Sequence, residues 1–487
     1  MSGRRPNILW ICTDQQRFDT IGALGNRYVS TPTIDRLVAE GTAFDKAYCQ
    51  APICTPSRSS FLTGVYPSTA LANRNGNDRF SGRYPLVTRT FADAGYLCGN
   101  IGKLHLASPY QRPEPRADDG YAVFQYSHAP RDGWPQGHDY ADWVRAQGGN
   151  LGELTRSVDG VPAKLHQTTW AMTRAIEFIT ANRDRPWLLT VNVYDPHPPF
   201  NPPAGYRAQF DPAEMPGPHF RASDIAAQEK LAAIDFQSHA RHPQELDINH
   251  PIIPVALKPG EREAAGRSPG ARDAWTLQAA YYAMIKLIDD QLARVLATLD
   301  ELGLSDDTIV LFMSDHGETL GDHGLIEKGC RFYEGLVRVP MIWRLPEVIR
   351  AGAVSRALVE LTDVAPTLLD FTGIPAPEHY RGKSLRGLLE GRTGRDHHRD
   401  FVRAEYYDAL DLPDASRATM YRDERYKLVV YHGHRLGELF DLDADPHEFD
   451  NLWDDPGMAA VKLDLLHKSY DATVATFTDS SRRIGPY

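Results

Sequence analysis

Cysteine is scarce in this chain. The five cysteines among 487 residues (Cys12, Cys49, Cys54, Cys98 and Cys330) are too few and too scattered to form a disulfide scaffold. Basic residues are outnumbered as well, 53 Lys and Arg against 64 Asp and Glu, and a net charge of −11 gives no footprint for nucleic acid. An anionic substrate must then be held by a locally positive pocket. Long apolar runs are also missing. The start, Met1-Ser2-Gly3-Arg4-Arg5-Pro6, leads into a short apolar stretch that ends before Asp14, too short for a signal-peptide core or a membrane span. Neither an internal repeat nor a low-complexity tract interrupts the sequence. The cytoplasm is the natural compartment, with no membrane association. What is present is ordinary globular composition, 42% hydrophobic and 24% charged, in a chain long enough for one large core and a smaller one.

Three apolar runs read as parallel strands covered on both faces. Asn7-Ile8-Leu9-Trp10-Ile11-Cys12 stops before Asp14, Trp187 to Val193 stops near His197, and Thr308 to Met313 stops before Asp315. Helical patterns lie between them. Thr31-Pro32 caps one that carries Ile34, Leu37 and Val38 on one face and ends at Gly41. A longer one from about Trp275 carries Tyr281, Met284, Ile288, Leu292, Val295, Leu299 and Leu302 and stops at Gly303. Strands alternating with helices predict an α/β fold with a central, mostly parallel mixed sheet flanked by helices. Residues 198–274, rich in Pro, Gly and charge, read as an insertion near the rim of the site. The pattern changes after about residue 380. Phe401 to Tyr407 and Tyr426 to Tyr431 read as antiparallel strands, with a final helix near 457–476. The expected organisation is a catalytic α/β domain over 1–380 and a smaller C-terminal α+β unit with a small antiparallel sheet over 381–487.

Chemistry collects where those strands end, the rim at which open α/β sheets bind ligands. Cys54-Thr55-Pro56-Ser57-Arg58 opens a short helix, with Pro56 in the first turn, where its missing N–H costs nothing. Residue 54 then sits at a helix N-terminus, whose free N–H groups favour sulfate or phosphate, and Arg58 adds a fixed charge one turn on. A cysteine-phosphatase loop would want arginine at position 60, where the chain has Ser60. Asp14-Gln15 and Asp315-His316 each follow a strand, and two carboxylates, an amide oxygen and an imidazole make a divalent-cation site.

The Cys-x-Pro-x-Arg core resembles the type I sulfatase signature of the alkaline phosphatase superfamily. Further landmarks follow in that family's order: Gly102-Lys103-Leu104-His105, Asp195-Pro196-His197-Pro198-Pro199-Phe200, Ser314-Asp315-His316-Gly317-Glu318, Lys328-Gly329, and Glu438 to Leu442 with Asp445-Pro446-His447-Glu448 and Asn451-Leu452. The resemblance implies an alkaline-phosphatase-like fold and a cysteine at 54 oxidised after translation to formylglycine by a formylglycine-generating enzyme. It implies one divalent ion per chain, Ca²⁺ or Mn²⁺, held by Asp14, Gln15, Asp315, His316 and residue 54. Arg58 and Lys103 would hold the aldehyde hydrate and the sulfate charge. His105 would take the proton from the second hydroxyl as the sulfated intermediate collapses, His197 and Lys328 would serve the leaving oxygen, and Asn75 is placed near the nucleophile by spacing.

The function implied is hydrolysis of a small-molecule sulfate monoester, aryl or alkyl, to alcohol and inorganic sulfate. Gln15 and His316 depart from the Asp and Asn common in sulfatases and match a pattern familiar from phosphonate monoester hydrolases and choline-sulfatase-like relatives. Phosphonate monoester or phosphodiester hydrolysis is therefore the alternative. An inactive metal-binding relative and a thiol-based hydrolase are the other rivals. Dimers or tetramers are common among cytoplasmic relatives, so a homo-oligomer is expected. Asp441-x-Asp443-x-Asp445 begins like a calcium loop, but Pro446 and Leu452 occupy the positions of its glycine and bidentate glutamate.

Overall fold

The computed structural model describes residues 5–110, 112–129, 137–157, 159–234, 240–246, 273–410 and 416–477. Parts of the expected insertion, 235–239 and 247–272, lie outside the described residues. The strands of the first part of the chain are β1 (Asn7–Thr13), β2 (Thr42–Phe44), β3 (Ala47–Tyr48), β4 (Leu97–Gly102), β5 (Val123–Tyr126), β6 (Trp187–Asn192), β7 (Thr308–Ser314), β8 (Arg338–Val339), β9 (Met341–Arg344), β10 (Ala353–Ser355) and β11 (Val359–Glu360). Those of the last part are β12 (Val402–Tyr407), β13 (Arg417–Arg422), β14 (Tyr426–Tyr431) and β15 (Leu436–Asp441). The main sheet has eight strands in the order β10-β2-β9-β7-β1-β6-β4-β5. Its centre is parallel, and β9 runs antiparallel to both β2 and β7.

Every residue of β1, β6 and β7 is buried, which is why these strands read as unbroken apolar runs. Successive side chains go to opposite faces. Trp10, Leu188, Ile309, Leu311 and Trp343 pack on one face with Phe61 and Leu62 of the helix Cys54–Thr63. Leu9, Ile11, Leu189, Val310 and Phe312 pack on the other with Trp170 and Phe178 of helix Gln167–Ala181 and Ile288, Leu292 and Val295 of helix Ala274–Glu301.

The helix Pro32–Glu40 is present, but Thr31 does not cap it through its side chain. Its hydroxyl donates to Asp35 Oδ1, 2.9 Å away. The free N–H groups of Thr33 and Ile34 instead donate to Asp289 Oδ1 at 3.0 and 2.8 Å. A carboxylate from the long helix does what the local sequence assigned to Thr31, because a helix N-terminus accepts any anion that packing brings to it.

The C-terminal sheet is a four-stranded antiparallel meander, β12-β13-β14-β15, twice the number of strands read from the sequence. β13 and β14 carry charge at positions that only the fold buries. Arg422 lies 5.1 Å from the centre of the Tyr48 ring, and the neighbouring Lys427 pairs with Glu334 at 2.6 Å and with Glu448 at 2.7 Å. The contacts with Tyr48 and Glu334 tie the meander to the main body. Described parts of the insertion pack along the same side: His219 N–H donates to Asp322 at 2.8 Å, and Gln228 Nε2 donates to Tyr333 at 2.6 Å. Among the described residues no helix is long and apolar enough to cross a membrane.

Candidate active site

The pairing register brings the strand ends together. Thr13 of β1 lies beside Ser314 of β7, so Asp14 and Asp315 emerge side by side. On the other flank β6 ends at Asn192 opposite Gly102 of β4, and Lys103 follows directly. Gly102 has φ 97°, and a Cβ there would lie 2.0 Å from the Asn192 carbonyl oxygen, so only glycine lets the chain turn Lys103 inward. Four adjacent strands thus deliver Asp315 and His316, Asp14 and Gln15, Asn192 and the following His197, and Lys103 and His105 to one rim.

The helix Cys54–Thr63 is buried along its whole length, and Cys54 is its first residue. Asn75 Oδ1 accepts from the Thr55 N–H at 2.9 Å, so Asn75 reaches the helix start one residue beyond the thiol. Around Cys54 Sγ lie Lys328 Nζ at 2.9 Å, His316 Nε2 at 3.2 Å, and Lys103 Nζ and Asp14 Oδ1 at 3.7 Å. Lys328 also donates to Gln15 Oε1 at 2.7 Å and lies 2.9 Å from His197 Nε2. Arg58 engages the carboxylates: Nε reaches Asp315 Oδ2 at 2.9 Å and a terminal nitrogen reaches Asp14 Oδ2 at 3.4 Å. It also donates to the Lys103 carbonyl at 3.1 Å and to Asn192 Oδ1 at 3.3 Å.

The local field is positive despite the acidic chain. Burial pushes the Cys54 thiol up and Asp14 adds to that, but Lys103, Lys328 and His316 outweigh both and bring it down to about 7. By contrast, burial pushes the Cys12 and Cys49 thiols well up. Asp14 is held well below the usual carboxylate range, since Lys103, His197, Arg58 and Lys328 overcome its burial. His105 is held well below the ordinary imidazole value by burial, with His128, Lys103 and Arg58 adding to the effect.

His105 is fixed through its backbone, in a left-handed conformation with φ 57°. The Glu114 carboxylate accepts from the N–H groups of His105 and Leu106 at 2.6 and 3.0 Å, and His128 packs edge-on with ring centres 4.3 Å apart. His105 Nδ1 is buried with no hydrogen-bond partner among the described residues. That leaves a ring nitrogen free to take a proton at the rim of the site.

The donor set suits a divalent cation. Asp14, Cys54, Asp315 and His316 each offer a ligand atom within 4.8 Å of one another. His316 Nδ1 sits 2.9 Å from the Gly317 carbonyl, leaving Nε2 for the cluster, the usual arrangement for a ligating histidine. Asn192, Glu114, His128 and Glu318 were missed as site residues. Asn192 and Glu318 could have been found, since each ends or closely follows a site strand. Glu114 and His128 arrive from loops with no local signal. Asp322 and His323 pack structurally, against Arg17 at 2.8 Å and on the Tyr333 ring at 4.0 Å.

A buried thiol, its cationic neighbours and paired strand-end carboxylates on a parallel sheet suit a hydrolase acting on an anionic ester. The family model for sulfatases matches residues 6–374, and that for the N-sulphoglucosamine sulphohydrolase C-terminal region matches 321–474. The chain is 31% identical to an arylsulfatase of Clostridium perfringens, covering 92% of this chain and 90% of that one. It is 32% identical to a multifunctional alkaline phosphatase superfamily protein of Trinickia caryophylli, covering 96% and 94%. The solved structure of a phosphonate monoester hydrolase of Agrobacterium radiobacter superposes with a TM-score of 0.79 at 25% identity, covering 97% of this chain and 96% of that one. This chain belongs to the sulfatase family and is a sulfuric ester hydrolase. The family uses a metal and a formylglycine, and the acidic cluster beside Cys54 can hold such a metal.

Proposed function

We propose that the enzyme hydrolyses sulfate monoesters of aryl or alkyl alcohols, with formylglycine at position 54 and one Ca²⁺ or Mn²⁺ held by Asp14, Gln15, Asp315, His316 and residue 54. The observation that carries this reading is the convergence of Lys328, Lys103 and His316 on Cys54 Sγ beside that donor set. Formylglycine at 54 would supply a hydrated aldehyde, and a cation held by Asp14, Gln15, Asp315 and His316 would supply Lewis-acid polarisation.

The chain's own residues do the rest. Lys103 and Lys328 offset the sulfate charge in a dry site, where fixed charges act most strongly. Arg58 holds the Asp14 and Asp315 carboxylates in place. His197, 2.9 Å from Lys328, stands with it to serve the leaving oxygen. His105, kept neutral and with Nδ1 unpartnered among the described residues, accepts the proton whose removal frees sulfate after the alcohol has left. His105→Ala should therefore release aryl alcohol in a burst and then turn over slowly. Its steady-state rate should fall by ~10² to 10⁴, the contribution of a placed general base. A modest loss without a burst in rapid-quench kinetics would reduce His105 to packing.

Phosphonate monoester or phosphodiester hydrolysis is the second reading. It is favoured by Gln15 and His316, which make the site less anionic and softer than an Asp and Asn pair would, and bring Mn²⁺ level with Ca²⁺. Comparing kcat/KM for 4-nitrophenyl sulfate and 4-nitrophenyl phenylphosphonate decides between them. Higher kcat/KM on the sulfate is expected, and a preference for the phosphonate would reverse the assignment. The same reading includes maturation by a formylglycine-generating enzyme, a cytoplasmic homo-oligomer (dimer or tetramer), and a catalytic unit over 1–380 followed by an α+β unit over 381–487.

A further inference from the structure

Glu318 stands two residues beyond His316 with its carboxylate fully buried. Oε2 accepts from the side-chain amide of Gln15. Oε1 accepts from the N–H groups of Leu320, at 3.1 Å, and Glu327, and from the Thr319 hydroxyl at 3.4 Å. At the other end of the Gln15 amide, Oε1 accepts from Lys328 Nζ at 2.7 Å. An amide has one donor end and one acceptor end, so these two neighbours permit a single orientation. The nitrogen meets Glu318, and the oxygen turns to Lys328 and the Cys54 cluster.

We propose that Glu318 is a positioning residue that aims the Gln15 oxygen at the divalent cation and makes an amide, not a carboxylate, the ligand this chain requires at position 15. The inference rests on the metal centre proposed above. A carboxylate at 15 would set two acidic groups against each other in a dry pocket, which disfavours their ionised forms. Each hydrogen-bond partner of the Glu318 oxygens is a donor, so acceptor oxygens are what this pocket satisfies.

The test is an isosteric swap in the full chain. Gln15→Glu opposes two carboxylates, and Glu318→Gln opposes two amides. In the double variant the polarity is reversed: the amide at 318 can still accept the Leu320 and Glu327 N–H groups through its oxygen and donate to the carboxylate at 15. Binding is measured by calorimetric titration with Mn²⁺ and with Ca²⁺, and bound metal by elemental analysis. Each single variant should raise the Mn²⁺ Kd about 10- to 100-fold, the usual cost of losing an outer partner of a metal ligand. The double variant should recover most of that loss. A single variant that binds Mn²⁺ like the wild type, or a double variant no better than the weaker single, overturns the proposal. If a single variant is too unstable to purify, the double variant decides alone, metal retention supporting the pairing and metal loss refuting it. Wild-type protein that binds neither cation would instead remove the metal reading itself.

Discussion

Cys54→Ser and Cys54→Ala abolish turnover while the protein remains folded: this is the expected result, a loss on the order of 10⁴ to 10⁶ in kcat, the scale reached when a covalent nucleophile is removed. The structure explains why both variants fail. Lys328, His316 and Lys103 are arranged on the Cys54 side chain, and a hydroxyl or methyl there offers no aldehyde to hydrate. Folding should survive because the helix start is held by other atoms, Asn75 Oδ1 on the Thr55 N–H and Ser57 Oγ on the Asp315 carbonyl. The measurement is paired, with initial rates on an aryl sulfate and the mass of the peptide containing residue 54. Fully active protein with an intact thiol at 54 would make this a thiol hydrolase, for which the lowered Cys54 value of about 7 would be the relevant chemistry.

Asp315→Asn is expected to strip the metal and, with it, the activity. Asp315 Oδ1 accepts from the N–H groups of Gln15 at 3.0 Å and His316 at 2.9 Å, and Oδ2 takes the Arg58 guanidinium at 2.9 Å. One carboxylate therefore offers a ligand oxygen, orders two other candidate ligands and neutralises a buried arginine. The asparagine keeps the shape, but its amide nitrogen would face Arg58, a donor against a donor. Breaking such a buried pair costs about 3 to 5 kcal/mol, so a lower Tm should accompany the loss of metal. Elemental analysis should show wild-type protein with one divalent ion per chain and the variant well below that, with turnover reduced at least ~10³-fold, on the scale of losing one preorganised charge-stabilising group. Chelation of the wild type should have the same effect on rate and be reversed by Mn²⁺ or Ca²⁺. Activity that persists in exhaustively chelated, metal-free protein would rule the cation out of the reaction.

Much of this molecule is legible from residue order, and the reasons are local. β1, β6 and β7 are readable because strands buried on both faces need unbroken apolar runs. The long helix is readable because its apolar residues repeat at helical spacing up to Gly303. Asp14, Asp315 and the Cys54 helix stand out because catalytic groups on an open α/β sheet follow strand ends or helix starts. Arg58 shows the limit of such reading. Its position one turn beyond Cys54 places a fixed charge at the site, but residue order does not show that its guanidinium pairs with Asp14 and Asp315.

What only the tertiary structure decides is pairing between groups far apart in the chain. Asp289, not Thr31, accepts the free N–H groups at the start of helix Pro32–Glu40, and β13 and β14 bury charges whose partners lie in other elements. Glu114 fixes the backbone at His105, and Glu318 turns the Gln15 amide. Residue order determines these groups' chemistry and their places on strands and loops. It cannot determine which donor meets which acceptor, because a buried hydrogen bond or ion pair depends on ångström-scale distances set by packing across hundreds of residues.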